Sequence, residues 1–133
     1  MKKKSRDKLD RVFSKWIRIR FTDDDGYGEC FTCGVRRHWK EVDAGHFMGR
    51  AKLSTRWDER NVQFQCKRCN MTGGQQFMFA KRLDEVYGSG TAEELLYLSN
   101  QLKKWSIAEL EEEIRKFERK IDEFKRTNHR EDI

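Results

Sequence analysis

The sequence predicts a small α+β domain built round a metal staple and flanked by helices at both ends. Three observations predict it. Four cysteines, Cys30, Cys33, Cys66 and Cys69, fall into two Cys-x-x-Cys pairs. Two short apolar stretches with strand character lie between those pairs. Outside them, apolar residues recur at helical spacing.

Composition limits what the chain can be. It has 133 residues, of which 39% are charged and 36% hydrophobic. A chain this short buries a modest core, so an added staple is expected. No stretch approaches the roughly 20 apolar residues of a membrane span. The basic start leads into no apolar secretory segment, so a cytoplasmic, reducing setting is expected. The formal charge of +6 favours an anionic partner, most simply nucleic acid.

Residues 1–22 form the first zone. Lys2, Lys3, Lys4, Arg6, Lys8, Arg11, Lys15, Arg18 and Arg20 face only Asp7 and Asp10 as acids. Leu9, Val12, Phe13, Trp16 and Ile17 recur at helical spacing, which predicts an amphipathic helix with a basic back. That back is either simply solvated or also touches phosphate. Asp23-Asp24-Asp25-Gly26 then breaks the helix, as a solvated turn rather than a calcium loop.

Residues 23–88 form the second zone. After the first cysteine pair comes a strand-like run around Val42–Phe47. A second run, Asn61 to Gln65, alternates Val62 and Phe64 with Gln63 and Gln65, the pattern of a half-buried strand. The second cysteine pair follows at once. A helix is predicted over Gln75–Tyr87, ended by Gly88. Two Cys-x-x-Cys pairs in one reduced chain fit a tetrahedral four-thiolate zinc site better than disulfides or a redox pair, because no thioredoxin-like βαβ unit surrounds them. Such zinc is structural: with four thiolates it has no open position for water.

Residues 89–133 are read as helical. Thr91-Ala92-Glu93-Glu94 predicts a capping box opening a helix to about Lys104, and Ser106-Ile107-Ala108-Glu109 predicts another. Leu110, Ile114, Phe117, Ile121 and Phe124 follow a 4-3-4-3 heptad stripe. That stripe packs either on the chain's own body or on a second copy, and the reading favours a dimerisation arm.

The segment that carries chemistry is 43–70. Fourteen residues separate His46 from Asn61, and eight more separate Asn61 from Asn70, which directly follows Cys69. This order resembles the HNH, ββα-metal (His-Me) nuclease finger. The resemblance narrows at Asp43-Ala44-Gly45-His46-Phe47, Arg56-Trp57-Asp58-Glu59-Arg60-Asn61 and Gln65-Cys66-Lys67-Arg68-Cys69-Asn70, which are similar to the phage NinG (lambda Rap) family of recombination endonucleases. It runs from about residue 10 to 125. The resemblance implies a zinc-stapled ββα-metal finger. It also implies a metal-dependent endonuclease that cuts branched recombination intermediates, Holliday junctions and D-loops.

The resemblance also implies roles. His46 is the general base, and Asn70 offers an amide oxygen to a catalytic Mg2+ or Mn2+. Asn61 fixes the loop and orients His46 without touching substrate. Many such fingers place an aspartate just before the histidine, where this chain has Gly45. Strand residues two apart share a face, so Asp43 is the expected replacement ligand, with glycine leaving room beside it. Glu59 and Asp58 compete for that role; an arginine partner is the alternative for Glu59 and a surface salt bridge for Asp58. Arg36, Arg37, Arg50, Lys52, Arg56, Lys67 and Arg68, together with Lys40, surround the site in sequence. They are the expected DNA contacts, giving salt-dependent backbone binding with little base readout. His38 is read as a surface residue and His129 as part of the tail, and Trp39 and Trp57 as core rather than base-stacking residues. Two incisions across a junction need two sites, so a homodimer working with recombination proteins is expected. The competing readings are a non-catalytic zinc module that binds nucleic acid and an HNH nickase without junction preference.

Overall fold

A computed structural model describes residues 1–133. Its element order is α1 (Lys2–Ile19), β1 (Tyr27–Glu29), β2 (Arg36–His38), a single 3-10 turn (Trp39–Glu41), β3 (Val42–His46), β4 (Val62–Cys66), α2 (Lys67–Met71), α3 (Gln76–Tyr87), α4 (Thr91–Ser99) and α5 (Ile107–Thr127). The fold is α+β: five helices and two separate antiparallel strand pairs, β1 with β2 and β3 with β4. No helix is long and apolar enough to cross a membrane.

The main core lies where the β3–β4 ribbon meets the first and last helices. Leu9, Phe13 and Ile17 of α1 pack with Leu110, Ile114 and Phe117 of α5, with Trp57 from the β3–β4 loop and with Val62 of β4. The Phe13 and Phe117 rings meet edge to face, with centroids 4.8 Å apart. The heptad stripe is therefore covered by α1 within the same chain. It is not a free dimer seam, because a basic helix with a matching apolar face closes it first. Ser106 opens α5 with the expected reciprocal capping box to Glu109.

Other elements depart from the sequence pattern. At α4 the residue preceding the helix is Gly90, with a left-handed φ of 93°, and the Thr91 hydroxyl donates to the Gly88 carbonyl instead of capping. The helix stops at Ser99, short of Lys104. β4 is buried along its whole length, not on one face. Its glutamines are accommodated by hydrogen bonds. Gln63 donates to the Arg60 carbonyl and the Tyr87 hydroxyl, and Gln65 donates to Thr32 and the Gly74 carbonyl. The β1–β2 hairpin had no clear alternation in sequence. Its tip carries Cys30 and Cys33, and Gly34 at φ 80° closes the turn with its N–H on the Cys30 carbonyl.

Candidate functional site

Two loops bring the cysteines together. The β1–β2 tip supplies Cys30 and Cys33, and the β4–α2 junction supplies Cys66 and Cys69. All four Sγ atoms lie within 4.8 Å of one another. Cys33 Sγ and Cys66 Sγ are 3.8 Å apart, the separation of about 3.8 Å that two thiolates take on a tetrahedral zinc with bonds of about 2.3 Å. The backbone N–H of Cys66 donates to Cys30 Sγ at 3.3 Å, and that of Cys69 to Cys66 Sγ at 3.5 Å. Burial pushes the Cys30 thiol up, but the Cys66 N–H and the Thr32 hydroxyl outweigh it and lower it to about 6. Burial and the neighbouring thiols push Cys69 up to about 12. Four thiols this close resist joint ionisation; a divalent cation among them reverses that resistance. The cluster fits zinc and could hold one ion.

The second constellation lies on the ribbon. In the β3–β4 register His46 stands opposite Val62, and Asp43 opposite Gln65. His46 and Asp43 both line a cleft of about 330 Å³, walled on the other side by Asp10, Ser14 and Arg18 of α1. His46 Nε2 lies 3.0 Å from the Arg56 carbonyl oxygen. A carbonyl only accepts, so Nε2 carries the proton and Nδ1 keeps its lone pair. Burial lowers the His46 pKa below 6.5; the Arg56 carbonyl and Asp10 oppose this, and the charges of Arg50 and Arg56 add to it. The imidazole is neutral at physiological pH and can accept a proton.

Asn61 is fully buried and positions that arrangement. Its amide donates to the carbonyls of Met48 and Thr55 and accepts from the Met48 N–H at 2.8 Å. Its own carbonyl accepts from the Phe47 N–H at 2.8 Å. These bonds pin the residues just after His46 and the residue just before Arg56, whose carbonyl holds the imidazole.

Asn70, on α2, reaches back across the ribbon. Its Nδ2 donates to Asp43 Oδ2 at 3.0 Å, and Lys67 Nζ meets Asp43 Oδ1 at 2.7 Å. Burial raises the Asp43 pKa, but the Lys67 and Asn70 bonds overcome it, so the carboxyl sits below its usual range. A carboxylate and an amide on one side of the ribbon are a hard donor pair that suits Mg2+ or Mn2+, and the pair already meets one cation, the Lys67 ammonium. Gly45 does not leave open room beside Asp43. The amide of Gln65 fills that space, and a β-carbon on Gly45 would come 2.0 Å from Gln65 Oε1.

The competing carboxylates are elsewhere. Glu59 accepts from Trp16 Nε1 and Lys120 and lies 3.6 Å from Arg20. Its partners come from α1 and α5 and from the residue just past α1, none from Asn70. Asp58 caps its own turn and pairs with Arg60.

The basic residues divide. Arg56 and Arg50 both bind Asp10, and Trp57 Nε1 donates to it at 2.9 Å. Arg36 pairs with Asp23. Arg37, Lys52 and Arg68 are exposed near the finger. Trp39 and Trp57 are buried. His38 is half-buried and accepts from the Lys40 N–H. Asp10, Ser14 and Arg18 are the site residues that sequence reasoning missed. Their i, i+4, i+8 spacing puts them on one helix face, and that was the available signal.

Fold and site define a small α+β protein whose cysteine cluster could hold zinc. The family model described as Bacteriophage Lambda NinG protein matches residues 1–128, and the chain belongs to that family. No curated protein and no solved structure matches it.

Proposed function

We propose that this protein is a metal-dependent, structure-specific endonuclease that cleaves branched recombination intermediates such as Holliday junctions and D-loops. The observation that carries the reading is His46: its Nε2–H donates to the Arg56 carbonyl, which leaves Nδ1 its lone pair, and the residue lines a cleft shared with Asp43.

In this mechanism Nδ1 takes a proton from water, and the water oxygen attacks the phosphorus as the P–O3′ bond breaks. Asp43 and Asn70 would hold Mg2+ or Mn2+, which supplies positive charge for the phosphorane-like transition state and the leaving 3′-oxygen. Arg18, anchored on Ser14 and the Trp39 carbonyl, lines the same cleft and offers the phosphate a fixed guanidinium. Cys30, Cys33, Cys66 and Cys69 would hold zinc, which would tie β4 and α2 to the β1–β2 tip on the side from which Asn70 meets Asp43. Arg37, Lys52, Lys67 and Arg68 supply phosphate contacts without base readout, which suits recognition by shape. Paired incisions are simplest in a C2 homodimer, joined by a surface other than the α5 stripe and acting with recombination proteins in the host cytoplasm.

The test compares four-way junction, linear duplex and single strand with Mg2+, Mn2+ or EDTA, beside His46→Ala. Junction cleavage that needs metal and is lost in His46→Ala is expected. Cleavage that survives in His46→Ala overturns the mechanism. Equal cutting of all substrates points to a nickase or non-specific nuclease, and binding without cutting points to a zinc binding module.

A further inference from the structure

Each oxygen of the Asp43 carboxylate already has a partner. Lys67 Nζ sits 2.7 Å from Oδ1, and the Asn70 amide donates to Oδ2 at 3.0 Å. Both contacts are those of an anion satisfied by donors. A hard divalent cation takes oxygen ligands, so Asn70 would have to turn its amide about to offer Oδ1. The ammonium, already on Asp43, competes with such a cation for the same carboxylate charge.

Three cations around His46 and Asp43 differ in how they are held. Arg18 is tied to Ser14 and to the Trp39 carbonyl, and Arg50 is tied to Asp10. The Lys67 side chain is 59% exposed and makes only the Asp43 contact. It opens α2, three residues before Asn70 on the same short helix. A lysine ammonium on a flexible stem readily changes partners, and a DNA phosphate is a partner of the right charge.

We infer that Lys67 is a stand-in cation. It occupies Asp43 in the free protein and is drawn off by a DNA phosphate, so that the Asp43–Asn70 pair takes its divalent ion more tightly with DNA bound. This rests on the nuclease reading and adds a coupling between substrate and metal. Its physical consequence is a weak site in the free enzyme, which limits cutting before a junction is engaged.

The test is direct Mn2+ binding, followed by electron paramagnetic resonance of the free ion, without DNA. Lys67→Ala should bind Mn2+ about threefold to tenfold more tightly than wild type, the range expected for removing a partly exposed ion pair. Arg68→Ala removes a neighbouring charge that does not touch Asp43 and should shift affinity by less than about twofold. Lys67→Arg, which keeps a cation on Asp43, should resemble wild type. In a His46→Ala background, added junction should tighten Mn2+ binding in the chain that keeps Lys67 and do so less in the Lys67→Ala chain, after subtraction of an Asp43→Asn control. Lys67→Ala that matches wild type or Arg68→Ala overturns the inference and leaves the nuclease reading standing. Wild type that binds no more Mn2+ than Asp43→Asn overturns the metal pair and the inference with it.

Discussion

The Gln65 amide oxygen lies over Gly45, where a β-carbon would come within 2.0 Å of it. Gln65 is fully buried and held by Thr32 Oγ1 and the Gly74 carbonyl, so it cannot swing aside. Its Oε1 accepts no hydrogen bond. Gly45→Ala should cost about 1–3 kcal/mol by overpacking, read from urea melts. Gly45→Asp should fail to supply a metal ligand and should destabilise further. A Gly45→Ala chain as stable as wild type would show that Gln65 is looser than this.

His46 sets the pH profile. Its pKa is lowered mainly by burial. Rising pH should therefore bring cleavage up through a pKa below 6.5 to a plateau, because protonated imidazole cannot take the water's proton. The stability sign is the same. The unfolded chain binds this proton more readily, so His46 costs no stability above about pH 6.5 and costs progressively more as pH falls through its folded pKa. His46→Ala should reduce cleavage by about 10²- to 10⁴-fold and remove that limb of the profile.

Asn61→Ala separates positioning from chemistry. It deletes side-chain bonds to Met48 and Thr55 in a fully buried place. A loss of about 1–3 kcal/mol is expected from the unpaired backbone groups. The folded variant should also show a shifted His46 titration by NMR, because the Arg56 carbonyl is no longer pinned. An unmoved titration would reduce Asn61 to a stability residue.

Zinc should be inseparable from folding. Cys66→Ser should lose secondary structure by circular dichroism, since bound structural zinc contributes folding free energy. A chelator should melt the wild-type finger, with one zinc released per chain. A native spectrum from Cys66→Ser would count against the cluster as a zinc staple.

The carboxylates provide a contrast. Asp43→Asn should leave the melt near wild type and weaken Mg2+ and Mn2+ activation. Glu59→Gln should do the reverse, with an effect of about 1 kcal/mol, because its ion pairs are partly exposed and face Lys120 and Arg20. Burial raises the Glu59 pKa, but Lys120 and Trp16 bring the net below its usual range. Its stabilising effect is present above the unfolded pKa and is lost as pH falls through the folded one. Metal dependence that changed in Glu59→Gln and not in Asp43→Asn would transfer the ligand role.

The parts legible in the sequence were those written in local spacing. Cys-x-x-Cys, the existence of a strand around Val62 and Phe64 and the Ser106–Glu109 cap each depend on neighbours a few residues apart. What stayed hidden depends on distant partners. Buried Gln63 and Gln65 read as solvent-facing because their partners, Tyr87, Thr32 and Gly74, lie elsewhere in the chain. The α5 stripe read as a dimer seam because periodicity reveals an apolar face but not what covers it. Asp10 read as one acid on a basic helix, yet it gathers Arg50, Arg56 and Trp57 from a loop some forty residues on. Thr91 matched a cap by type, but the left-handed Gly90 before it took the turn a different way.

The packing of α1 on α5 also sets the order of assembly. Phe13 meets Phe117, and Arg130 reaches back to Thr22 and the Asp23 carbonyl. The cleft wall that α1 supplies is thus braced by residues translated about a hundred positions later. Contacts so far apart in sequence close slowly. During synthesis the ribbon and its cysteines emerge first and give α1 one side of its packing through Trp57 and Val62, and the wall carrying Arg18 gains its second side only once α5 has left the ribosome. A nascent chain then assembles its cysteine finger first and its complete cleft last.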